Sequence, residues 1–244
     1  MNSQSIEIVV AKYQEDTSWL SRLSPIIKQT VYDKGDSNAK WHLENKGRES
    51  HTYLHHITTN YDNLSDLTIF SQGASTDDVP DLLNILNTIA HNLTRILKKE
   101  NIYIDLCPNI QAFHVDDSWE SLDKQHTTLG AFFNHVFGIT PEDKEYLCRA
   151  HASFVVHKNN ILRHPKEFYL KILESVSYSA DPCEGHFLER LWKTILSSPS
   201  CYDVAQKPGE WRKVTEVDGK TLKTPVLYPF EEEIKKSLFI EPPR

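Results

Sequence analysis

The stretch from Asn45 to Gly73, NKGRESHTYLHHITTNYDNLSDLTIFSQG, compresses a polar loop, a helix, a turn and a buried strand into one unit. Tyr53, Leu54 and Ile57 fall at the spacing of one helix face. Asn60 to Asp66 is rich in turn formers, and Leu67, Ile69 and Phe70 then read as a short apolar strand. A strand with apolar residues on both faces must be covered on both sides, which points to an α/β arrangement. Its carboxyl end runs into Ser71, Gln72 and Gly73, small or polar residues at the edge where open α/β sheets bind ligands. That edge is the candidate site.

The flanking sequence extends the same pattern. Ile6, Ile8, Val9, Val10 and Ala11 form a near-continuous apolar run, ended by Lys12-Tyr13-Gln14-Glu15-Asp16. Thr17 to Leu23 reads as a helical turn with Trp19, Leu20 and Leu23 inward, and Pro25 separates it from a second strand, Ile26 to Tyr32. Asp33 to Asn38 is a turn-rich loop at another strand end. Downstream, Ala74 to Asp81 reads as a loop delivering the acidic start of a helix over Pro80 to Lys99. Asn101 to Ser121 gives only short strand or loop signals. Phe132, Phe133, Val136 and Phe137 suggest an aromatic helix stopped by Gly138 and Pro141, with Pro141 to Leu147 as another short helix. Ala152 to Val156 is a third clear strand, and Lys158 to Ser175 a helix interrupted at Pro165. Asp181 to His186 reads as a polar loop opening the helix Phe187 to Ser197, with Glu189 one turn inside. In the tail, Val214 to Thr221 around Asp218-Gly219 predicts a hairpin, and Phe230 to Leu238 a short amphipathic helix. The expected organisation is a single α/β domain over residues 1–198, with 199–244 packed on it as a cover.

Composition narrows the partners. Hydrophobic residues make up 39% of 244, enough for a sizeable core. A formal charge of −7 argues against an extended nucleic-acid surface but leaves a single bound nucleotide open. Cys107, Cys148, Cys183 and Cys201 show no CxxC or metal-knuckle spacing, so free thiols in a reducing compartment are expected. MNSQSIEIVVAKYQ carries no leader pattern and no apolar run approaches the ~20 residues of a transmembrane span, which predicts a soluble, cytoplasmic protein.

Several residue groups carry chemistry, each beside a plainer reading. His51 and His55 stand four apart on a helix, a spacing that suits one metal, though the HExxH glutamate is missing and a hydrogen-bonded pair is the commoner outcome. Asp77 and Asp78 suit a divalent cation, or equally a helix start. Arg48, after Gly47 at a helix head, suits a diphosphate or is a surface arginine. Glu189, on a helix otherwise devoted to burial, should be desolvated into general-base range unless Arg190 or another cation pairs it. Tyr13, Trp19, Tyr32 and Tyr53 are either stacking platforms or core aromatics. GxSxG, Walker A and GxGxxG patterns are absent.

Taken together, VVAKYQEDTSWL, VYDKG, NKGRESHTYLHHI with NYDNLSDLTIFSQG, HASFVVHKNNILRHPKEFY and HFLERLW resemble a family of uncharacterised proteins, mostly fungal with some bacterial and viral members. The resemblance runs from about Ile8 to Trp192 and leaves out the tail. That family in turn resembles glycosyltransferases of the GT-A fold, a Rossmann-like mixed sheet flanked by helices. The likeness implies a nucleotide-diphosphate sugar donor and a hydroxyl (glycan) acceptor, as in polysaccharide biosynthesis. Tyr13, Glu15 and Asp16 would then belong to the base and ribose loop, and Asn45, Gly47 and Arg48 to the loop before the metal strand. Gln72 and His186 would also face substrate, and Glu189 would be the catalytic base. Where such enzymes carry DxD for Mn2+ or Mg2+, this chain has Ser71-Gln72-Gly73, so Asp77 and Asp78 are the candidate substitutes. Two rivals are a metal-dependent hydrolase built on His51, His55, Asp77 and Asp78, and a non-catalytic nucleotide- or glycan-binding module.

Overall fold

The computed structural model describes residues 4–197 except 80, 100, 108, 109, 121, 144, 150 and 151, and the strand backbone of 211–217 and 220–225; the side chains of 78, 110, 145 and 147 are also excluded. Its centre is β1 (Ile6–Lys12), whose first six residues are all buried. β2 (Ile27–Asp33) and β3 (Leu67–Gln72) pair with it in parallel on either side, so Val10 faces Val31 and Ser71 in register. β7 (Phe154–His157) runs antiparallel to β3, and β4 (Tyr103–Asp105) antiparallel to β7. The five-stranded order is therefore β2-β1-β3-β7-β4, a mixed sheet.

Alternation along β1 explains the layers. Ile6, Ile8 and Val10 point into one core with Trp19, Leu20, Leu86 and Ile89. Val9 and Ala11 point into the other, beneath α1 (Arg48–Thr59), α5 (Leu129–Phe137), α7 (Lys166–Val176) and α8 (Cys183–Leu196). On this side Tyr53, Phe70, Phe154 and Trp192 pack ring against ring, with centroids 4.8 to 6.0 Å apart. Helices thus cover both faces, as a strand without a polar face requires.

Four expectations are corrected. Pro141 to Leu147 is not a helix: β6 (Glu145–Arg149) pairs with β5 (Ile110–His114) in a separate two-stranded sheet. Phe113 and Tyr146, directly opposite, stack at 5.5 Å, a cross-strand pairing that local sequence does not reveal. The helix expected over Pro80 to Lys99 divides into α3 (Leu82–His91) and α4 (Leu93–Ile96). At the break the Asn92 amide donates back to the Thr88 carbonyl at 2.9 Å, competing with the helical ladder. α8 begins at Cys183, inside the segment read as a loop, with Pro182 as its extended N-cap. Glu189 therefore lies nearly two turns into α8.

α2 (Ser75–Asp78) is a single turn after β3, and α6 (Lys158–Ile161) ends before Pro165, where the interruption was expected. The expected hairpin is present as β8 (Trp211–Val217) and β9 (Lys220–Pro225). The helix expected over Phe230 to Leu238, the cover formed by the tail, Asp218-Gly219 and Cys201 lie outside the described residues.

Candidate active site

The strand directions place the carboxyl ends of β1, β2, β3 and β4, and the amino end of β7, on one edge of the sheet. The chain leaves β1 for β2 on one side and returns to β3 on the other, so β1 and β3 flank the point where a crevice opens in such sheets. Backbone bonds tie the loops together there. Lys34 N–H donates to the Lys12 carbonyl, Gly73 N–H to the Ala11 carbonyl, and the Trp19 indole to the Gly73 carbonyl. The Glu15 carboxylate accepts from Tyr13 and Gln14 N–H at 2.6 and 3.1 Å, and Asp16 accepts from Ser18 N–H and hydroxyl, shaping the loop after β1. Tyr13 stands out from it, 44% exposed.

Beside this crevice lies a charged pocket built by α1 and α8. Gly47 takes a left-handed φ of 58°, and its N–H and that of Arg48 donate to the carbonyls of Ser179 and Ala180. These bonds stitch the head of α1 to the approach of α8. A Cβ on Gly47 would lie 2.5 Å from the Val176 carbonyl oxygen, so the join requires glycine. The result is to aim Arg48 at α8. Its Nη2 lies 2.9 Å from Glu189 Oε1, its Nη1 2.7 Å from His186 Nε2 and 3.5 Å from Asp181 Oδ1, and its Nε 3.6 Å from Glu49 Oε2. The arginine stem runs across Gly185, where a Cβ would sit 3.2 Å from Arg48 Cδ. Trp119 stacks on His186 at 5.2 Å, and the Arg190 guanidinium lies 4.4 Å above the same indole.

The pocket belongs to the shared edge. Lys34, the first residue after β2, donates its amine to the Lys46 and Arg48 carbonyls. Tyr53, one turn on from Glu49, donates to the carbonyl of Ala152 just before β7.

Burial sets the electrostatics. It raises Glu189 to about 7, with the charge of Glu49 adding to the rise and Arg48 and Arg190 opposing it. Burial also brings Lys34 down to about 8, against the pull of Glu49. His186 is lowered by burial and then by Arg48, which favours the neutral ring. Arg48 itself is raised, because Glu49, Glu189 and Asp181 outweigh its desolvation. The edge thus holds a carboxyl poised to exchange a proton near neutral pH, beside a permanent cation.

Residues 8–208 match the model of a family described as "Protein of unknown function (DUF3431)". The chain belongs to that family. No curated protein matches it, and no solved structure does. The DUF3431 match covers all five strands of the central sheet and both helices of the pocket except the first two residues of β1. It extends past Trp192, where the sequence resemblance stops, to residue 208.

Within this DUF3431 chain the other candidates fall as follows. Gln72 is half-buried at the end of β3, and its carbonyl accepts from the Ser71 and Ser75 hydroxyls. Asn45 is exposed in the loop before Gly47. His51 and His55 stack as parallel rings at 6.4 Å, and burial brings His51 to about 4. Asp77 is exposed on α2. Trp19 and Tyr53 are core residues; Tyr32 is buried against His56, its hydroxyl 3.2 Å from Nδ1. Among the described residues the group of three that could hold a divalent ion is His114, Asp116 and Asp143, at the β5–β6 sheet. There the imidazole Nδ1 accepts the Asp116 N–H, and Nε2 lies 3.1 Å from Asp143. Both ring nitrogens are thereby engaged.

Sequence reasoning missed Lys34 and Glu49. The signal for Glu49 was present: it stands four residues before Tyr53 and eight before Ile57, on the buried face of α1.

Proposed function

We propose that this protein transfers a glycosyl group from a nucleotide-diphosphate sugar to a hydroxyl acceptor, with Glu189 as the general base. The observation that carries the reading is the Glu189 carboxyl, only 12% exposed and 2.9 Å from Arg48 Nη2, in the cluster tied through Lys34 to the carboxyl edge of the sheet; burial raises it to about 7. The donor nucleotide would lie along Tyr13, Glu15, Asp16, Gln72 and Gly73, and the acceptor against Glu189 and His186. Glu189 takes the proton of the acceptor hydroxyl as that oxygen bonds the anomeric carbon. The bond from that carbon to the diphosphate breaks, and the nucleoside diphosphate leaves with the electron pair. Arg48 keeps the ionised Glu189 compensated between turnovers. Among the described residues no helix is long and apolar enough to cross a membrane.

The test is release of nucleoside diphosphate from a panel of nucleotide sugars with hydroxyl acceptors. Wild type should turn over at least one pair, and Glu189→Gln should lose about 10²-fold or more, the usual contribution of a positioned base. Equal turnover by the variant would remove Glu189 from the mechanism. No turnover with any pair would count against the reading.

A further inference from the structure

An arginine offers one edge, Nε–H and Nη2–H, that ordinarily grips a single carboxylate through both oxygens. In this pocket the edge is divided. Nε faces Glu49 Oε2 at 3.6 Å and Nη2 faces Glu189 Oε1 at 2.9 Å. The two side chains are only 7% and 12% exposed. Glu49 Oε1 receives no hydrogen bond, and the Glu189 Oε1 contact with Arg48 is an ion contact without hydrogen-bond alignment. Two carboxylates on one half-satisfied edge, away from water, resist being ionised together.

The surrounding cations, Arg190 and Lys34, relieve them only in part. Lys34 spends its amine on two backbone carbonyls, and Arg190 lies over the Trp119 ring. Asp181, ahead of α8, adds a third negative charge to the same guanidinium. His186 is held towards its neutral form, and the Tyr53 hydroxyl is committed to the Ala152 carbonyl. Cys148, on β6, is pushed up to about 12 by burial and stays a neutral thiol.

We infer that Glu49 is a positioning residue for Glu189: by taking half of the Arg48 edge, it keeps on Glu189 a proton that Glu189 would otherwise release to solvent. Nothing about the pair depends on the substrate. Its consequence, a stronger base at the acceptor hydroxyl, rests on the glycosyl-transfer reading.

The experiment is a pH titration of the full chain labelled with carbon-13 at the glutamate carboxyls, followed by NMR, with Glu49→Gln and Glu189→Gln used for assignment. In wild type the Glu189 resonance should titrate near neutral pH. In Glu49→Gln the Glu189 midpoint should fall by about one pH unit or more, a tenfold change in proton affinity. Glu49→Asp, which keeps the charge, should restore much of the shift. An unmoved midpoint in Glu49→Gln would overturn the inference. So would a wild-type Glu189 that titrates in the ordinary carboxylate range, a result that decides the matter even if a variant fails to fold. A raised Glu189 midpoint that falls in Glu49→Gln, in a protein that transfers no sugar, would leave the pair standing and remove only the functional reading.

Discussion

Glu7, Glu184 and Glu189 meet their charge in different ways, and the contrast singles out the last of them. Glu7 accepts from the Thr30 and Ser65 hydroxyls and pairs with Lys28; these partners outweigh burial and hold it below the usual carboxylate range. Glu184, although fully buried, accepts from Gln125 and His126 N–H and the Tyr178 hydroxyl, and is likewise lowered. Glu189 has half an arginine edge and rises to about 7. Its sign in stability follows: the folded state holds the proton more tightly than the unfolded chain, so stability present below pH 4.5 is lost as pH rises towards 7. Glu189→Gln should therefore gain stability relative to wild type between pH 5 and 8, read as a widening difference in urea midpoint. His51 and His56 act in the opposite direction. Each is lowered from 6.5 to about 4, chiefly by burial, so their contribution is lost as pH falls through that window. His51→Gln should flatten the acid side of the stability profile measured by denaturant titration from pH 7 to pH 4.

At the scale of elements, the join between α1 and the approach to α8 determines where Arg48 points. Gly47→Ala should cost at least the ~1–2 kcal/mol of a left-handed alanine, plus the clash with the Val176 carbonyl, as seen by urea unfolding. Trp192→Ala, which empties the aromatic cluster under α1, should cost about 3–5 kcal/mol. These elements differ in how readable they were. β1, β3 and α1 were legible because Ile6 to Ala11, Leu67 to Phe70 and Tyr53 to Ile57 carry their burial in local periodicity. β6 was not, because its identity depends on Phe113 opposite Tyr146, more than thirty residues away in the chain. The first turn of α8 was hidden by Pro182 and Gly185, which read as loop residues. The proline sits at the N-cap, and the glycine makes room for Arg48. Of the pocket, Arg48 stood out as a cation at a helix head and Glu189 as a carboxylate on a helix devoted to burial. The burial of Glu49 was legible from its spacing to Tyr53 and Ile57, but nothing local says that a carboxylate beside an arginine shares that arginine with another helix.

For the whole molecule, a central sheet with three parallel strands ending at one edge gathers the loops after β1, β2 and β3, and the α1–α8 pocket lies beside them. The family match over residues 8–208 spans this assembly, so the edge and the pocket both lie within it. The proposed binding of a nucleotide-diphosphate sugar at this edge is tested most directly by thermal unfolding with nucleoside diphosphates and their sugars, with and without manganese, because a ligand of the native state alone raises the midpoint. The midpoint should rise for wild type and Glu189→Gln alike, and less for Tyr13→Ala. A midpoint that no nucleotide or nucleotide sugar moves would contradict it.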